Sequence, residues 1–291
     1  MSSDIMPMTE PRPRRQRSQR SGATDAALLF DEPGPRGRIL IAIGSVVAVI
    51  GIAALAAAVL YRLDLAGQLD YPKWRYFLGQ SVVSQLLEAA GTTLTLGGVA
   101  AVLTFPLGIA LGWLRLLDNR PIKWLIGLWI DAMRAVPMLL LVYFFLLVVP
   151  RFATISDFWK LALPIVMCTS ATTAEVFRSG VRALDRGQTE AAWALGMSPS
   201  LTMRLILAPQ ALRLMLPTLI TQMVTIIKGT TLAYVLAYPE LMYRGSTMIG
   251  QAKIDAHLSV FFQTYVIIAV LYIIVNWSLG ALARYIESHT R

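Results

Sequence analysis

Long stretches without a charge set the pattern of this chain. Residues 39–61, 89–114 and 256–283 carry none. Each stretch exceeds the ~20 residues that an α-helix needs to cross the hydrocarbon core of a bilayer. Shorter uncharged runs lie at 135–150, 161–174 and 214–227, and apolar character resumes at 229–239 beyond Lys228. Basic residues that snorkel at their ends, or a polar residue turned into a bundle, make these runs long enough to span. The segment IAIGSVVAVIGIAALAAAVLY at 41–61 does not alternate as a barrel strand would. In lipid its backbone must satisfy itself, so it becomes helix. The pattern predicts an all-α integral membrane protein with six transmembrane helices.

Composition agrees. Of 291 residues, 56% are hydrophobic and 15% charged, against roughly 25% charged in soluble domains. That excludes a disordered chain and argues against an ordinary cytosolic enzyme. The net charge of +9 suits basic flanks beside membrane spans better than a nucleic-acid partner. With both termini placed in the cytoplasm, eighteen Lys and Arg fall inside and seven outside, with Lys228 within a span. The positive-inside rule therefore predicts N- and C-termini in the cytoplasm. One cysteine, Cys168, leaves no internal disulfide framework, and His257 and His289 are too far apart for a local metal motif.

The ends divide by composition. Residues 1–38, centred on PRPRRQRSQR, read as a disordered basic cytoplasmic tail that sets topology. The 39–61 span reads as an uncleaved anchor, because a signal peptide has a shorter lead-in and a shorter apolar run. Residues 62–88, with Tyr71, Trp74, Tyr76 and Phe77, read as an external interfacial linker. The remainder, 89–288, reads as one membrane domain with a cytoplasmic loop at 185–210.

That loop is amphipathic and broken in definite places. Gly187 is placed to close one helix, and Gln188–Leu195 is helix-competent with Glu190 in its first turn. Gly196 ends the stretch, and Ser198 with Pro199 starts a second helix. Ala191 and Ala192 offer a small, flat surface to another body. Two short helices held between spans suit docking, or equally an amphipathic loop lying on the bilayer.

EAAWALGMSPSLTMRLILAP, residues 190–209, resembles the EAA loop of permease subunits in bacterial ATP-binding-cassette importers. The matching positions are Glu190, Ala191, Ala192, Gly196 and Pro209, with Ala208 where Leu is usual. AEVFRSGVRALDRGQ (174–188), MRAVP (133–137) and KGTTLAYVLAYPEL (228–241) resemble the polar-amino-acid branch of that family. The similarity covers roughly residues 88–287. It implies a five-helix permease core, here preceded by an extra N-terminal span, with cytoplasmic coupling helices. It also implies partner ATPase subunits, which hold ATP and Mg, and a second permease subunit. An extracytoplasmic binding protein would deliver an amino acid. The resemblance implies no cofactor on this chain, and a bacterial inner-membrane location.

Charged and polar residues within the apolar runs are candidates for the substrate pathway. Lys228 is expensive in a span unless paired, hydrated or snorkelling, and Gln222, Thr225, Thr230 and Thr231 surround it in sequence. The family commonly places Asp after this Lys, and here Gly229 stands there. A missing acid leaves the site more positive and favours acidic or neutral amino acids. Glu175 and Arg178, three apart, predict an ion pair at the inner end of the fourth span. Gly108 and Gly112 form a GxxxG pair suited to close helix packing within the bundle.

No GxxxxGK[ST], HExxH or GxSxG occurs in the chain, so ATP would have to be bound by a partner. A self-sufficient secondary amino acid carrier is the competing function, and it calls for internal repeats with paired broken helices. An integral-membrane enzyme calls for a cluster of titratable groups at one depth. Neither feature stands out. No catalytic or metal-ligating residues are expected.

Overall fold

The computed structural model describes residues 34–290, and the expected basic tail at 1–38 lies almost wholly outside them. Among the described residues the chain is helical with no strand. It divides into two compact units, Met1–Ala66 and Gly67–Arg291. The first holds α1 (Pro35–Leu65), a 31-residue helix that contains the whole 39–61 run. Pro35 at its start has a fixed φ suited to a first helical turn. Its apolar residues are spread all round, as lipid on every side would favour.

The second unit begins with a short helix α2 (Tyr71–Arg75) and a tight turn at Tyr76–Leu78. The long helix α3 (Gln80–Leu116) follows and starts well before the expected boundary at 89. The reason is apolar: Val82 and Leu86 bury with Phe77, Met248 and Val260. The last third of the stretch read as interfacial linker, 80–88, thus belongs to this helix.

The expected third span is a bent pair. Helix α4 (Arg120–Ala135) and helix α5 (Met138–Leu147) meet at 95°. Pro137 causes the break, since it drives Val136 to extended geometry (φ -77, ψ 127) and removes a helical donor. Ten residues of α5 rise only about 15 Å, so the 135–150 run does not cross as one straight helix.

Helix α6 (Asp157–Arg182) contains the expected fourth run and makes its most extensive packing with α3. The contact is close because of two glycines. A Cβ on Gly108 would sit 2.6 Å from Thr173 Cβ, and one on Gly112 would sit 2.6 Å from the Ala174 carbonyl oxygen. The pair therefore packs within the bundle, as the spacing predicts. Thr104 and Thr169 share a buried hydroxyl hydrogen bond of 2.7 Å across the same seam.

Next come α7 (Arg186–Ala194), the single turn α8 (Pro199–Thr202) and α9 (Ala208–Gly229). Helix α9 runs on as a tight 3-10 segment over Thr230–Leu236. Helix α10 (Leu241–Asp255) is unexpected from the uncharged runs, because it carries charges. Its Leu241, Gly245, Met248 and Ala252 nonetheless form one buried stripe at helical spacing. Helix α11 (Phe261–Thr290) completes the chain.

Among the described residues, four helices are long and apolar enough to cross a membrane, or five if α4 and α5 count as one span. The sixth expected span is α6. It is long enough, but Lys160, Glu175 and Arg178, together with the inward-facing Thr169, Ser170 and Thr173, lower its hydropathy.

Candidate coupling element and substrate pathway

Two side-chain caps organise the polar connection. The Asp185 carboxylate accepts the Gly187 N–H at 2.7 Å and starts α7. Gly187 therefore opens this helix rather than closing the one before. Glu190 lies in the middle of α7, outside its first turn, so the macrodipole does not favour it there. Gly196 ends the helix at φ +76, a left-handed conformation that costs a side-chain-bearing residue roughly 1–2 kcal/mol. Ser198 Oγ then accepts the Leu201 N–H at 3.3 Å, with Pro199 at the first position of α8.

The expected second short helix does not stand alone. From α8 the chain passes through one wide π turn, Met203–Leu207, straight into α9. The π turn has a physical cause in Pro209. A proline ring collides with the carbonyl four residues back and donates no hydrogen bond to it. Widening the turn relieves both problems. The result is one helical run over Pro199–Leu236 with no loop between the polar element and the span.

The EAA residues separate into two roles. Ala192 is 3% exposed and packs into its own chain, so it does not form a free surface. Glu190, Ala191, Gly196 and Pro209 are exposed. Around them Trp193, Leu195, Leu201 and Leu205 leave apolar surface uncovered, with Leu195 82% exposed. A hydrogen bond of 3.0 Å from Gln210 Nε2 to Gln188 Oε1 ties α7 to α9.

Above this element, Glu175 and Arg178 form the expected ion pair. Two further charges join it. Arg115 on α3 reaches Glu175 at 3.0 Å and Asp131 on α4 at 3.1 Å. Three helix ends are thereby pinned together. Sequence reasoning missed Arg115 and Asp131 because they lie 60 and 44 residues from Glu175, beyond any local spacing rule.

The expected pathway residues fall on different surfaces. Thr218, Thr221, Thr225 and Lys228 form an exposed stripe along α9, spaced three, four and three apart. Gln222 is half-buried beside it. Thr225 and Thr231 spend their hydroxyl protons on their own helix, on the Thr221 and Lys228 carbonyls at 3.1 and 2.8 Å. Lys228 meets no acidic partner among the described residues. Gly229 faces Met138 and Ile165, an apolar setting for the acid usual at that place. Thr230 turns inward and is fully buried, bonding to the Ile227 carbonyl at 2.7 Å.

Thr230 belongs to a polar cluster that the sequence does not signal. Glu240, fully buried, caps α10 by accepting the Tyr243 N–H at 2.9 Å and accepts the Tyr272 hydroxyl at 2.7 Å. The Thr93 and Thr230 hydroxyls lie near that of Tyr272. Thr93 Oγ1 also accepts the Leu241 N–H at 3.2 Å. Burial pushes the Glu240 carboxyl above its usual range, opposed by the hydrogen bonds from the Met242 and Tyr243 backbone and from Tyr272.

The long apolar helices mark a membrane-embedded chain with an exposed polar element joined to one of its spans. Residues 104–289 match the family of binding-protein-dependent transport system inner membrane components, and the chain belongs to it. It is thus a multi-pass inner-membrane permease subunit, not a self-sufficient carrier. It is 34% identical to the glutamate transport system permease protein GluD of Corynebacterium glutamicum, over 77% of this chain and 82% of that one. It is 33% identical to the probable glutamine ABC transporter permease protein GlnP of Bacillus subtilis, over 67% of this chain and 88% of that one. Its fold matches the crystal structure of an amino acid ABC transporter with histidines (TM-score 0.64, 24% identity, 72% of this chain and 95% of that chain). It also matches the MetNI methionine ABC transporter (TM-score 0.57, 16% identity, 71% and 98%).

Proposed function

We propose that this chain is the permease subunit of an ATP-driven importer of polar amino acids, with acidic or neutral ones favoured. Separate ATPase subunits bind ATP and Mg and dock on residues 185–210, and a binding protein outside the cell delivers the amino acid. The chain itself carries no cofactor. One observation carries the reading: α7 and α8 present uncovered apolar surface, and α8 continues without a loop into a membrane helix. A docked body that moved this element would move α9 with it.

The substrate class rests on the relatives named for glutamate and glutamine and on Lys228, a cation with no acid beside it. The α9 stripe supports a second permease subunit, identical or homologous. Thr218, Thr221, Thr225 and Lys228 facing lipid would be unfavourable, whereas facing another bundle they line a polar path. The cationic bias of the connections supports cytoplasmic N- and C-termini. The reading also takes residues 39–61 as a span outside the core, 62–88 as external, and 89–288 as the permease domain.

Glu190→Arg and Gly196→Asp test the docking role in whole cells. Both variants should reach the membrane at normal levels and lose uptake, with ATP hydrolysis no longer coupled to transport. Undiminished uptake by both would overturn it. Lys228→Met should impair uptake more than assembly, and normal uptake kinetics would remove Lys228 from the pathway.

A further inference from the structure

The inner ends of α3, α4 and α6 border a cavity of about 410 Å³ that lies outside the proposed docking element and substrate path. Arg115, Lys123, Arg178 and Arg182 line it. Against these four positive charges stand two carboxylates, Asp131 and Glu175, so two positive charges remain. Lys123 and Arg182 carry them, since neither forms an ion pair among the described residues. The Arg115 guanidinium lies across α4 against Gly127, 3.6 Å from where a Cβ would be.

The rim of this cavity is not polar. Trp124 and Leu128 are 69% and 53% exposed, and both line it. From them an uncovered apolar flank passes over Leu125, 60% exposed, to Trp129. It ends in a second cavity of about 430 Å³, walled by Leu111, Met167 and other apolar side chains. That cavity lies about one to three helical turns farther from the basic ends of α3 and α6. A cationic recess at a helix-bundle end, an exposed Trp at its lip and an apolar recess deeper in the bundle match one chemistry. It is a negatively charged headgroup with hydrocarbon attached.

We propose that this cavity binds the phosphodiester headgroup of an anionic glycerophospholipid of the inner leaflet, with an acyl chain laid across α4. The proposal rests on the cytoplasmic placement of these helix ends given above. Lys123 and Arg182 attract the phosphate, Trp124 sits at the interface, and Leu125 and Trp129 cover the upper chain. Free phosphate lacks the part that would use the apolar flank.

The test uses the full-length chain in detergent, titrated with phosphatidylglycerol or phosphatidylcholine of identical chains, with bound lipid counted by native mass spectrometry. Phosphatidylglycerol should bind more tightly by roughly thirtyfold, the attraction expected of two basic residues near a lipid surface. The double variant Lys123→Gln/Arg182→Gln should lose that preference, and Lys123→Arg/Arg182→Lys should keep it. An unchanged preference in the Gln pair overturns the site. So does displacement of phosphatidylglycerol by millimolar inorganic phosphate, which would reveal a pocket for soluble anions. Brominated phosphatidylglycerol should quench the wild-type chain more than Trp124→Phe, a readout that needs no charge variant. Equal quenching counts against the site. Lys123→Cys in inverted and right-side-out vesicles separates the two readings. Labelling from outside only would overturn the orientation and, with it, the inner-leaflet assignment. Labelling from inside with no lipid preference would overturn the lipid site alone.

Discussion

Replacing Glu240 tests the buried cluster that joins α3, α9, α10 and α11. Glu240→Ala removes the carboxylate that accepts from Tyr243 N at 2.9 Å, the cap of α10. Loss of such a cap costs about 1 kcal/mol. The same change strands the Tyr272 hydroxyl, which donates to Glu240 at 2.7 Å, and an orphaned buried hydroxyl costs about 1–3 kcal/mol. The expected total is therefore about 2–4 kcal/mol. In a unit of this size that lowers the melting temperature by roughly 4–16 °C. Glu240→Gln keeps an acceptor for the cap and lets the tyrosine hydroxyl reverse direction, so it should cost about 1 kcal/mol. The assay is built into the chain. Cys168 is buried and is the sole cysteine, so a thiol-reactive fluorophore reports its exposure on heating. Tyr272→Phe should destabilise the native background but not the Glu240→Ala background, because its partner is then already gone. Additive losses in the double variant, or a Glu240→Ala melt equal to wild type, would refute the coupling.

Three further perturbations follow from the geometry. Gly196→Ala meets no atom within 4 Å of its new Cβ, so its cost, roughly 1–2 kcal/mol, comes from backbone conformation alone; Gly196→Asn should melt closer to wild type in the same thiol assay. Gly112→Val drives side chain into the Ala174 backbone and should prevent α3 from packing on α6, seen as loss of monodisperse protein in size-exclusion chromatography. Arg115→Gln leaves Glu175 with Arg178 but frees Asp131; it should destabilise by about 1–2 kcal/mol, and restoration by Arg115→Lys would be incomplete because an ammonium lacks the planar fork that meets both Asp131 oxygens while reaching Glu175.

The uncharged runs located the long helices, because exclusion of charge is what a hydrocarbon core imposes. The bend at Pro137 was legible only as a helix start, since a 95° turn depends on what α4 packs against. Helix α10 escaped notice for the opposite reason: Arg244 and Lys253 interrupt a stripe that is apolar on one side only. At the polar element the helix start at Ser198 and the Gly196 stop followed from local capping chemistry, whereas the Asp185 cap that opens α7 did not. The inward turn of Ala192 did not, because small residues suit both a buried contact and an open one. Nothing local in the sequence marks Glu240, because only the fold brings Tyr272 to it from 32 residues away.

The uninterrupted course from Pro199 to Leu236 sets a scale for what happens when the inner face is pushed. Take the π turn near Leu205 as a pivot. Lys228 lies 23 residues farther along, an arm of roughly 35 Å at 1.5 Å per residue. A swing of about ten degrees then carries its ammonium about 6 Å sideways, on the order of an amino acid's own width. With no loop in the shaft, a small displacement at one bilayer surface becomes a passage-sized one near the other.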